Sequence, residues 1–429
     1  MKFQNIGGAT GILEHNGVKI LFDPWLDEGI YHGAWHHFPP SNVPLEDLPE
    51  VDYIYISHIH EDHCSLKTLQ YLNKTAEIII LDRNPNFVLM FLKGNEGINF
   101  KKIHMLKEKT PTIIGDIEFT MLMPNPSHEM SYLIDSMLVI KWDGYVIFNG
   151  NDCRPYADTF KYLKNNYEKV DLALLQYTGG SSYPACYLNL SDDEKLSEAK
   201  RIADDSLDEF YQAIDYINPK YAMPFADQYV VVGNRAHLNQ FMAHPPSTAA
   251  VKDHLLFKKF KDQVLLLNSG QIIDLKTNVK IPDIEHYRHS NEERDKYVKE
   301  HSVGVKYDYE YFDFAKSVSI LSFIKYARAK LWAEQERRKY FREFNIYLGC
   351  DSEEELYELS LNSQNVRKVK LTEKVSPYLL LRGNRNLMIM MLMGHISWNI
   401  ADAALFIDYE RVPNRYDTVV HALVNYLRI

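Results

Sequence analysis

The strongest chemical signal in the chain is the segment Tyr53–His63, which reads YIYISHIHEDH. Its apolar half is typical of a buried strand, and His58 and His60 would leave that strand on one side, because side chains two residues apart share a strand face. The chain then turns, so that Asp62 and His63 converge with them from the loop. Four potential ligands within six residues predict a metal site.

The elements that must position this segment are short strands and helices with clear turn signals. Asn16-Gly17 separates the apolar segments 12–15 and 18–22, and Asp143-Gly144 separates 136–142 and 145–148, so each pair predicts a two-residue β-hairpin. Further buried strands are predicted at 51–57, 77–81, 170–176 and 264–267, and helices near 65–73, 157–165 and 192–217. Strands mixed with helices over this span indicate a layered α/β domain.

The length of 429 residues is enough for two or three domains, and we predict two. Residues 1–285 form the candidate catalytic domain, 286–310 a charged connector, and 311–429 a smaller α+β domain that shapes the pocket or a homodimer contact. In the last part we expect a long amphipathic helix over 314–344, strands at 345–348 and 368–371, and a terminal helix over 416–427.

Composition excludes several classes of protein. With 46% apolar and 25% charged residues the chain is globular, and a net charge of −10 disfavours a nucleic-acid partner. The N-terminus lacks the apolar core of a secretory signal, and the most apolar run, 387–393, is too short to span a membrane. Four cysteines scattered at 64, 153, 186 and 350 favour reduced thiols in the cytoplasm.

The ligand spacing at a strand end resembles the metallo-β-lactamase superfold, an α/β fold built as an αββα sandwich with one or two metal ions between its sheets. The resemblance implies that His58 and His60 join His128 at one metal. It also implies Asp62 and His63 at a second metal and Asp152 as a bridging carboxylate. Asp62, Asp152 and Arg154 are the residues to which we assign a catalytic role.

The last ligand of the family departs from its usual pattern. Many members place a histidine after a late strand, whereas the matching stretch here contains Asp227. Asp227 would serve as an oxygen ligand, and the alternatives are His237 and His244 from the following loop. Such a nitrogen and oxygen ligand set favours iron, with manganese or zinc as alternatives.

A closer resemblance joins separated segments in order. The segments 22–26, 33–41, 58–63, 128–130, 151–155, 177–184 and 224–226 are similar to the catalytic region of the CMP-N-acetylneuraminate hydroxylases. The resemblance covers roughly residues 5–240 and implies an iron-dependent reaction in which O2 hydroxylates a small polar, sugar- or nucleotide-like metabolite.

One component of those hydroxylases is not found in this sequence. They carry a Rieske iron–sulfur domain with paired Cys-x-His and Cys-x-x-His ligands, and none of the four cysteines has that setting. We therefore expect electrons from a separate ferredoxin, Rieske protein or reductase. The alternative is a metal-dependent hydrolase of a phosphoester, lactone or amide, which would use the same ligands.

Candidate substrate contacts come from loops. The backbone N–H groups and hydroxyls of Gly179, Gly180, Ser181 and Ser182 could hold a phosphate or carboxylate, and Arg154 could pair with an anion. A plain turn and a surface arginine are equally consistent with this pattern. The remaining weaker candidates for the pocket wall are His36, His37 and His237.

Overall fold

The computed structural model describes residues 1–226, 229–314, 317–351 and 353–429. The strands are β1 (Lys2–Gly7), β2 (Thr10–His15), β3 (Val18–Phe22), β4 (Trp35–His37), β5 (Tyr53–Tyr55), β6 (Glu77–Leu81), β7 (Lys102–Leu106), β8 (Thr112–Ile114), β9 (Ile117–Leu122), β10 (Met137–Trp142), β11 (Tyr145–Asn149), β12 (Leu172–Gln176), β13 (Tyr221–Phe225), β14 (Tyr229–Val231), β15 (Ile272–Asp274), β16 (Val279–Ile281), β17 (Asn345–Cys350), β18 (Glu355–Ser360), β19 (Val366–Lys370), β20 (Tyr378–Gly383) and β21 (Asp408–Val412). The helices are α1 (Ile30–Gly33), α2 (Leu66–Tyr71), α3 (Phe87–Gly94), α4 (Glu129–Ile134), α5 (Ala157–Asn166), α6 (Asp192–Ile217), α7 (Phe257–Phe260), α8 (Asn291–His301), α9 (Ile320–Arg338), α10 (Arg385–Leu392), α11 (Trp398–Ala403) and α12 (Thr418–Val424).

Two large sheets form the N-terminal part. The first sheet has the order β16-β15-β1-β2-β3-β5-β6-β7, and the second has the order β13-β12-β11-β10-β9-β8. Neighbours from β3 to β7 pair in parallel, as do β11, β12 and β13, and the hairpin strands pair antiparallel. Parallel strands need cover on both faces, so helices must lie outside the two sheets.

The cores of the sandwich show this layering. Phe22 and Tyr55 of the first sheet pack against Phe119 and Leu138 of the second. On the outer face of the first sheet the covering helices are α2 and α3, which contribute Leu69 and Leu92. On the outer face of the second sheet they are α5 and α6, which contribute Leu163 and Phe210. The predicted αββα sandwich is confirmed.

Both predicted hairpins form, for the expected reason. Asn16 and Gly17 have φ of 51° and 83°, and Asp143 and Gly144 have 47° and 78°, so both central residues of each turn are left-handed. The strand predicted over 264–267 is wrong: Val264 makes only an isolated bridge to Ala222. The Ala222 backbone N–H donates to the Gln263 carbonyl, and the Leu265 N–H donates to the Ala222 carbonyl. After Leu265 the chain leaves the sheet.

The C-terminal part contains a separate sheet of order β19-β18-β17-β20-β21. The helix predicted over 314–344 is shorter, because α9 begins at Ile320 and ends at Arg338, where the next residue, Lys339, has a left-handed φ of 53°. A shared core joins this part to the sandwich, since Trp35 and Tyr229 belong to the same cluster as Leu387 and Phe406. The domain boundaries stay a prediction.

The connector predicted over 286–310 contains a helix of its own. α8 begins at a capping box in which Ser290 and Glu293 bond each other's backbone N–H. The longest helix, α6, begins at an equivalent box of Ser191 and Glu194 and buries Phe210 on one face. Within the described ranges, no helix combines the length and the apolar character that crossing a membrane requires.

Candidate metal centre

The candidate site lies where the two sheets present their strand ends at one edge. Asp23 follows β3, and the segment His58–His63 follows β5, which is the parallel neighbour of β3. Asp135 precedes β10 and Asp152 follows β11, and these strands form one hairpin. The sandwich therefore brings side chains from four strand ends together.

Buried hydrogen bonds fix the two sheets to each other at this edge. The Tyr55 hydroxyl donates to the Ser136 carbonyl (3.0 Å), and the Ser136 hydroxyl donates to the Ser57 carbonyl (2.8 Å). The Asn151 amide donates to the same Ser136 carbonyl (2.7 Å). The loops that carry the histidines and Asp152 thus have little freedom to separate.

Three side chains form the centre of the cluster. His58, His63 and Asp152 each place one potential ligand atom within 4.8 Å of the others. His63 Nε2 lies 3.2 Å from Asp152 Oδ1, and His58 Nε2 lies 3.9 Å from Asp152 Oδ2. Both histidines are buried, whereas the Asp152 carboxylate is partly exposed. The arrangement offers two imidazole nitrogens and a carboxylate to one cation.

His60 and Asp62 extend the cluster. His60 Nδ1 lies 2.8 Å from His58 Nε2, and Asp62 Oδ2 lies 3.2 Å from His63 Nε2. Asp62 also accepts a hydrogen bond of 2.5 Å from the Tyr31 hydroxyl. Tyr31 has a left-handed φ of 53°, a strained conformation for this residue type. In this strained conformation the buried Tyr31 hydroxyl contacts Asp62, a candidate ligand.

Hydrogen bonds also orient the imidazole rings from behind. Asp23 Oδ2 lies 3.0 Å from His63 Nδ1, and Asp23 Oδ1 accepts from the Ser57 backbone N–H (2.7 Å). The Ser57 hydroxyl lies 2.9 Å from His58 Nδ1. Because the Nδ1 atoms of His58 and His63 are engaged in this way, both rings turn Nε2 toward Asp152. Such outer partners are typical of metal-binding histidines.

The protonation of the cluster reflects an excess of carboxylates. Burial opposes charge on His63, but Asp152, Asp62 and Asp23 outweigh it and hold the pKa of His63 well above its ordinary value. Burial raises the pKa of Asp135 to about 7. Burial likewise raises the pKa of Asp23. Each shift would be relieved by a cation, which supplies positive charge that the side chains lack.

Two of the buried polar atoms that have no hydrogen-bond partner among the described residues belong to this cluster. They are His63 Nε2 and Asp135 Oδ1. Asp135 Oδ1 lies 3.9 Å from His58 Nε2, so both atoms border the same cluster. Orphaned polar atoms are costly in a protein interior unless a ligand satisfies them. The residues present therefore fit a divalent metal with mixed nitrogen and oxygen ligands.

His128, another predicted ligand, does not join this centre. The His128 side chain is exposed just before α4. Asp227 lies outside the described residues. Arg154 turns to α6, where its Nη1 lies 2.7 Å from Glu209 Oε2 and its Nη2 donates to the Ser206 hydroxyl (3.2 Å). The structure thus brings together His58, His60, Asp62, His63 and Asp152 of the predicted set.

The two histidines of β4 meet an acidic partner instead of the cluster. His37 Nδ1 lies 3.0 Å from Glu28 Oε1, and the His37 ring stacks on Trp25 at 3.6 Å. His36 Nδ1 lies 4.0 Å from the other Glu28 oxygen. His37 is buried between Glu28 and Trp25, so its contacts belong to the fold and not to the cluster.

The remaining histidine candidates also have local partners. His237 is exposed, and its Nδ1 lies 3.3 Å from the Asn234 carbonyl oxygen. His244 is buried, with its Nε2 3.1 Å from the Tyr229 carbonyl oxygen. Both contacts are within the segment that follows β13.

The loop after β12 divides into a packed end and a polar end. A Cβ at Gly179 would lie 2.9 Å from Ile202 Cγ2, so α6 packs closely on this glycine. Gly180 and Ser181 are exposed. Ser182 is buried and donates a hydrogen bond of 2.5 Å to Asp402 Oδ1, which belongs to α11. The polar end therefore meets the C-terminal part.

Several residues of the site were not predicted. Asp135 carried a usable signal, because the hairpin register pairs Leu138 with Asn149 and so places Asp135 and Asp152 at the same end. Asn399 carried none. Its Oδ1 lies 2.8 Å from His60 Nε2, across 339 positions of sequence.

Comparisons with known proteins agree with the geometry. Residues 18–224 match the family model described as Beta-lactamase superfamily domain. A protein of Mycolicibacterium smegmatis named as a Rieske 2Fe-2S iron-sulfur protein is 30% identical over 190 residues, 44% of this chain and 36% of that protein. Cytidine monophosphate-N-acetylneuraminic acid hydroxylase of Danio rerio is 28% identical over 216 residues, 48% of this chain and 35% of the relative. The chain thus spans about a third of the length of these relatives.

Among solved structures, the chain is similar to the isothiocyanate hydrolase from Delia radicum gut bacteria. The identity is 18%, the TM-score is 0.45, and the match covers 64% of this chain and 98% of the hydrolase. The chain carries a β-lactamase superfamily domain over residues 18–224, within the αββα sandwich of the metal-dependent metallo-β-lactamase fold.

Proposed function

We propose that this protein is a non-haem iron oxygenase that hydroxylates a small polar metabolite with O2 and electrons from an external donor. The observation that carries the proposal is the buried cluster of His58, His63 and Asp152, whose charge no lysine or arginine of the described chain balances within 4 Å. The relative from Danio rerio that is named as a hydroxylase supports oxidation as the reaction class.

The residues that would hold the metal are those whose potential ligand atoms face one another in the cluster. His58 and His63 supply nitrogens, and Asp152, Asp62 and Asp135 supply oxygens. A mixed set of this kind suits iron, and manganese or zinc are the alternatives. Iron bound here would supply the one-electron chemistry that O2 requires.

The other residues hold this ligand set in place. Asp23 fixes the ring of His63, and Tyr31 holds Asp62 by its hydroxyl. Asn399 meets His60 from the C-terminal part, so the exposed side of the cluster faces that part of the molecule. We therefore place the substrate between the sandwich and α11.

The electron donor is proposed to be a separate ferredoxin, Rieske protein or reductase. All four cysteines are free and buried, so none is paired at the surface for an iron–sulfur cluster. Free thiols also suit the cytoplasmic location that we propose. The name of the Mycolicibacterium relative motivates the Rieske option.

The test is a metal analysis joined to an oxygen measurement. The protein is purified without added metal, its iron, zinc and manganese are quantified, and oxygen uptake is recorded after reduction with dithionite. The proposal expects stoichiometric iron and oxygen uptake that Asp152→Ala abolishes. Stoichiometric zinc without oxygen uptake would contradict it and favour the alternative, a hydrolase in which the metal activates water.

A further inference from the structure

A cavity of about 580 Å³ opens at one end of the C-terminal sheet. Its wall is formed by the segments 340–344, 377–379 and 411–421. Three arginines, Arg342, Arg411 and Arg415, line it, and we call it the arginine cavity. Since the chain carries a net charge of −10, a concentration of arginines in one concave surface is a local exception.

Arg411 is the most informative of the three. Arg411 is only 7% exposed. Its guanidinium lies over the rings of Tyr183 and Tyr187, 4.5 and 4.7 Å from their centroids. Its Nε donates to Asn414 Oδ1 (2.7 Å). No carboxylate of the described chain forms an ion pair with it. A buried arginine is ordinarily paired with a carboxylate. Because Arg411 has no such partner within the described chain, its two terminal nitrogens are available to a ligand.

The other two arginines add charge and free donors. Arg342 Nη2 lies 2.6 Å from Asp417 Oδ2, while its Nε is buried without a hydrogen-bond partner among the described residues. Arg415 is exposed. The carboxylates in the same wall are Asp417 and Glu343. Three positive groups against two negative groups leave the cavity positive.

Asp417 is already committed to the fold. Besides Arg342 it accepts the Val420 backbone N–H (2.9 Å), which caps α12. It therefore competes with any incoming anion for Arg342. This competition allows a variant that should strengthen binding.

A second cavity lies between the arginine cavity and the metal centre. Its volume is about 150 Å³, and it shares Tyr416 and His421 with the arginine cavity. Its wall also contains Ser182 and Asn399. Asn399 is the residue that meets His60 of the cluster. Adjoining cavities thus extend from the arginines to the edge of the metal centre.

We propose that the arginine cavity binds the oxyanion group, phosphate or carboxylate, of the substrate, while the rest of that molecule reaches the metal centre through the smaller cavity. Guanidinium groups recognise both oxyanions by paired charge-assisted hydrogen bonds. The second half of the proposal rests on the proposed function, whereas anion binding by Arg411 and its neighbours does not.

The test is calorimetric titration of the full chain with pyrophosphate and, separately, with malonate. Wild-type protein binds at least one probe, and the one that binds identifies the oxyanion. Arg415→Ala should weaken binding roughly tenfold, the loss expected for one charge-assisted hydrogen bond. Asp417→Asn should tighten it several-fold, because asparagine keeps the helix cap and releases Arg342. Arg367→Ala, in β19 at the opposite edge of the sheet, is the matched control and should leave the affinity for both probes unchanged.

Two results would overturn the inference. One is that the wild type binds neither probe. The other is that Arg415→Ala and Asp417→Asn both leave the affinity unchanged. Metal content is measured on the same samples, because the two proposals fail separately. Normal metal content without anion binding rejects only the arginine cavity. Anion binding in a protein that takes up no metal rejects the proposed function instead.

Discussion

The two parts of the molecule treat buried carboxylates differently. In the C-terminal part they are clasped by arginines: Glu334 accepts from Arg337 Nε at 2.7 Å and also from Arg338, and Glu358 meets Arg367. At the edge of the sandwich, the ion-pair partners of Asp23, Asp62, Asp135 and Asp152 within the described chain are all imidazoles, and no lysine or arginine pairs with these carboxylates.

The difference shows where a ligand belongs. An unpaired buried charge costs several kcal/mol, so a fold retains such a group where something else supplies the opposite charge. A bound cation would neutralise the carboxylate-rich edge, and a bound anion would neutralise the unpaired Arg411. Glu334 and Glu358 need neither, and we assign them to stability alone.

The largest expected effect comes from removing the centre of the cluster. His63→Ala and Asp152→Ala should each lower bound metal to near zero and activity at least a hundredfold, because each removes a ligand. Metal content by mass spectrometry and turnover are the measurements. His395→Ala, an exposed histidine in the C-terminal part, is the control and should keep both. Full metal content in both cluster variants would refute the site.

The next effect concerns the residue behind His63. Asp23→Asn keeps the shape of the side chain but removes the charge that orients the ring. We expect metal affinity to fall about 10–100-fold, as is typical for outer partners of ligating histidines. Competition with a chelator measures the affinity. An unchanged affinity would show that Asp23 only supports the fold.

A paired comparison separates two candidate ligands. The resemblance implies His128, whereas the structure places Asp135 beside His58 and leaves His128 exposed. If the described arrangement is the one that binds metal, Asp135→Asn should weaken binding about tenfold and His128→Ala should leave it nearly unchanged. The opposite pattern would mean that the segment preceding β10 rearranges when metal binds.

A smaller effect is expected across the boundary between the two parts. Asn399→Ala removes the partner of His60 Nε2 but no ligand of the central three. Metal content should stay stoichiometric, while turnover falls several-fold because His60 loses its orientation. Asn386→Ala in α10 is the matched control, since within the described chain the Asn386 side chain donates to the Phe312 carbonyl and has no contact with the cluster. Loss of metal in Asn399→Ala would place the C-terminal part within the metal site itself.

The smallest expected effect concerns Glu334, a buried carboxylate of the C-terminal part that is paired with arginines. Hydrogen bonds from Arg337 and Arg338 lower the pKa of Glu334 to about 2 from an ordinary value of 4.5. A lowered pKa stabilises the folded state above pH 4.5, and this contribution is lost as the pH falls toward 2. Glu334→Gln should therefore cost about 1 kcal/mol at pH 7 and progressively less below pH 4.5. Urea unfolding at several pH values checks this.

The matched control for Glu334 lies on the same helix. Glu336 accepts from Trp332 Nε1 at 2.9 Å and has no arginine partner among the described residues. Glu336→Gln should therefore cost less stability at pH 7 than Glu334→Gln. A difference between wild type and Glu334→Gln that stays constant from pH 7 to pH 3 would contradict the assignment.

The sequence could predict the position of the site because its determinants are local. Asn16-Gly17 and Asp143-Gly144 define hairpins by turn geometry, and the spacing of His58 to His63 follows from one strand and one loop. Asp135 was within reach by the register of the second hairpin, yet its role depends on burial, which no local pattern shows.

The contribution of the C-terminal part could not be predicted in the same way. Asn399 reaches His60, and Asp402 reaches Ser182, only because a shared core docks α11 on the sandwich. Packing between distant segments leaves no periodic signal in the chain. The same holds for Arg411, whose position between Tyr183 and Tyr187 depends on that docking.

The metal centre is tested most directly by anomalous diffraction from crystals of the full chain loaded with Fe(II) without oxygen. We expect an iron peak within about 2.1 Å of His58 Nε2, His63 Nε2 and an Asp152 oxygen, at the edge where the two sheets meet. An iron-loaded crystal with no peak at these three residues would contradict it.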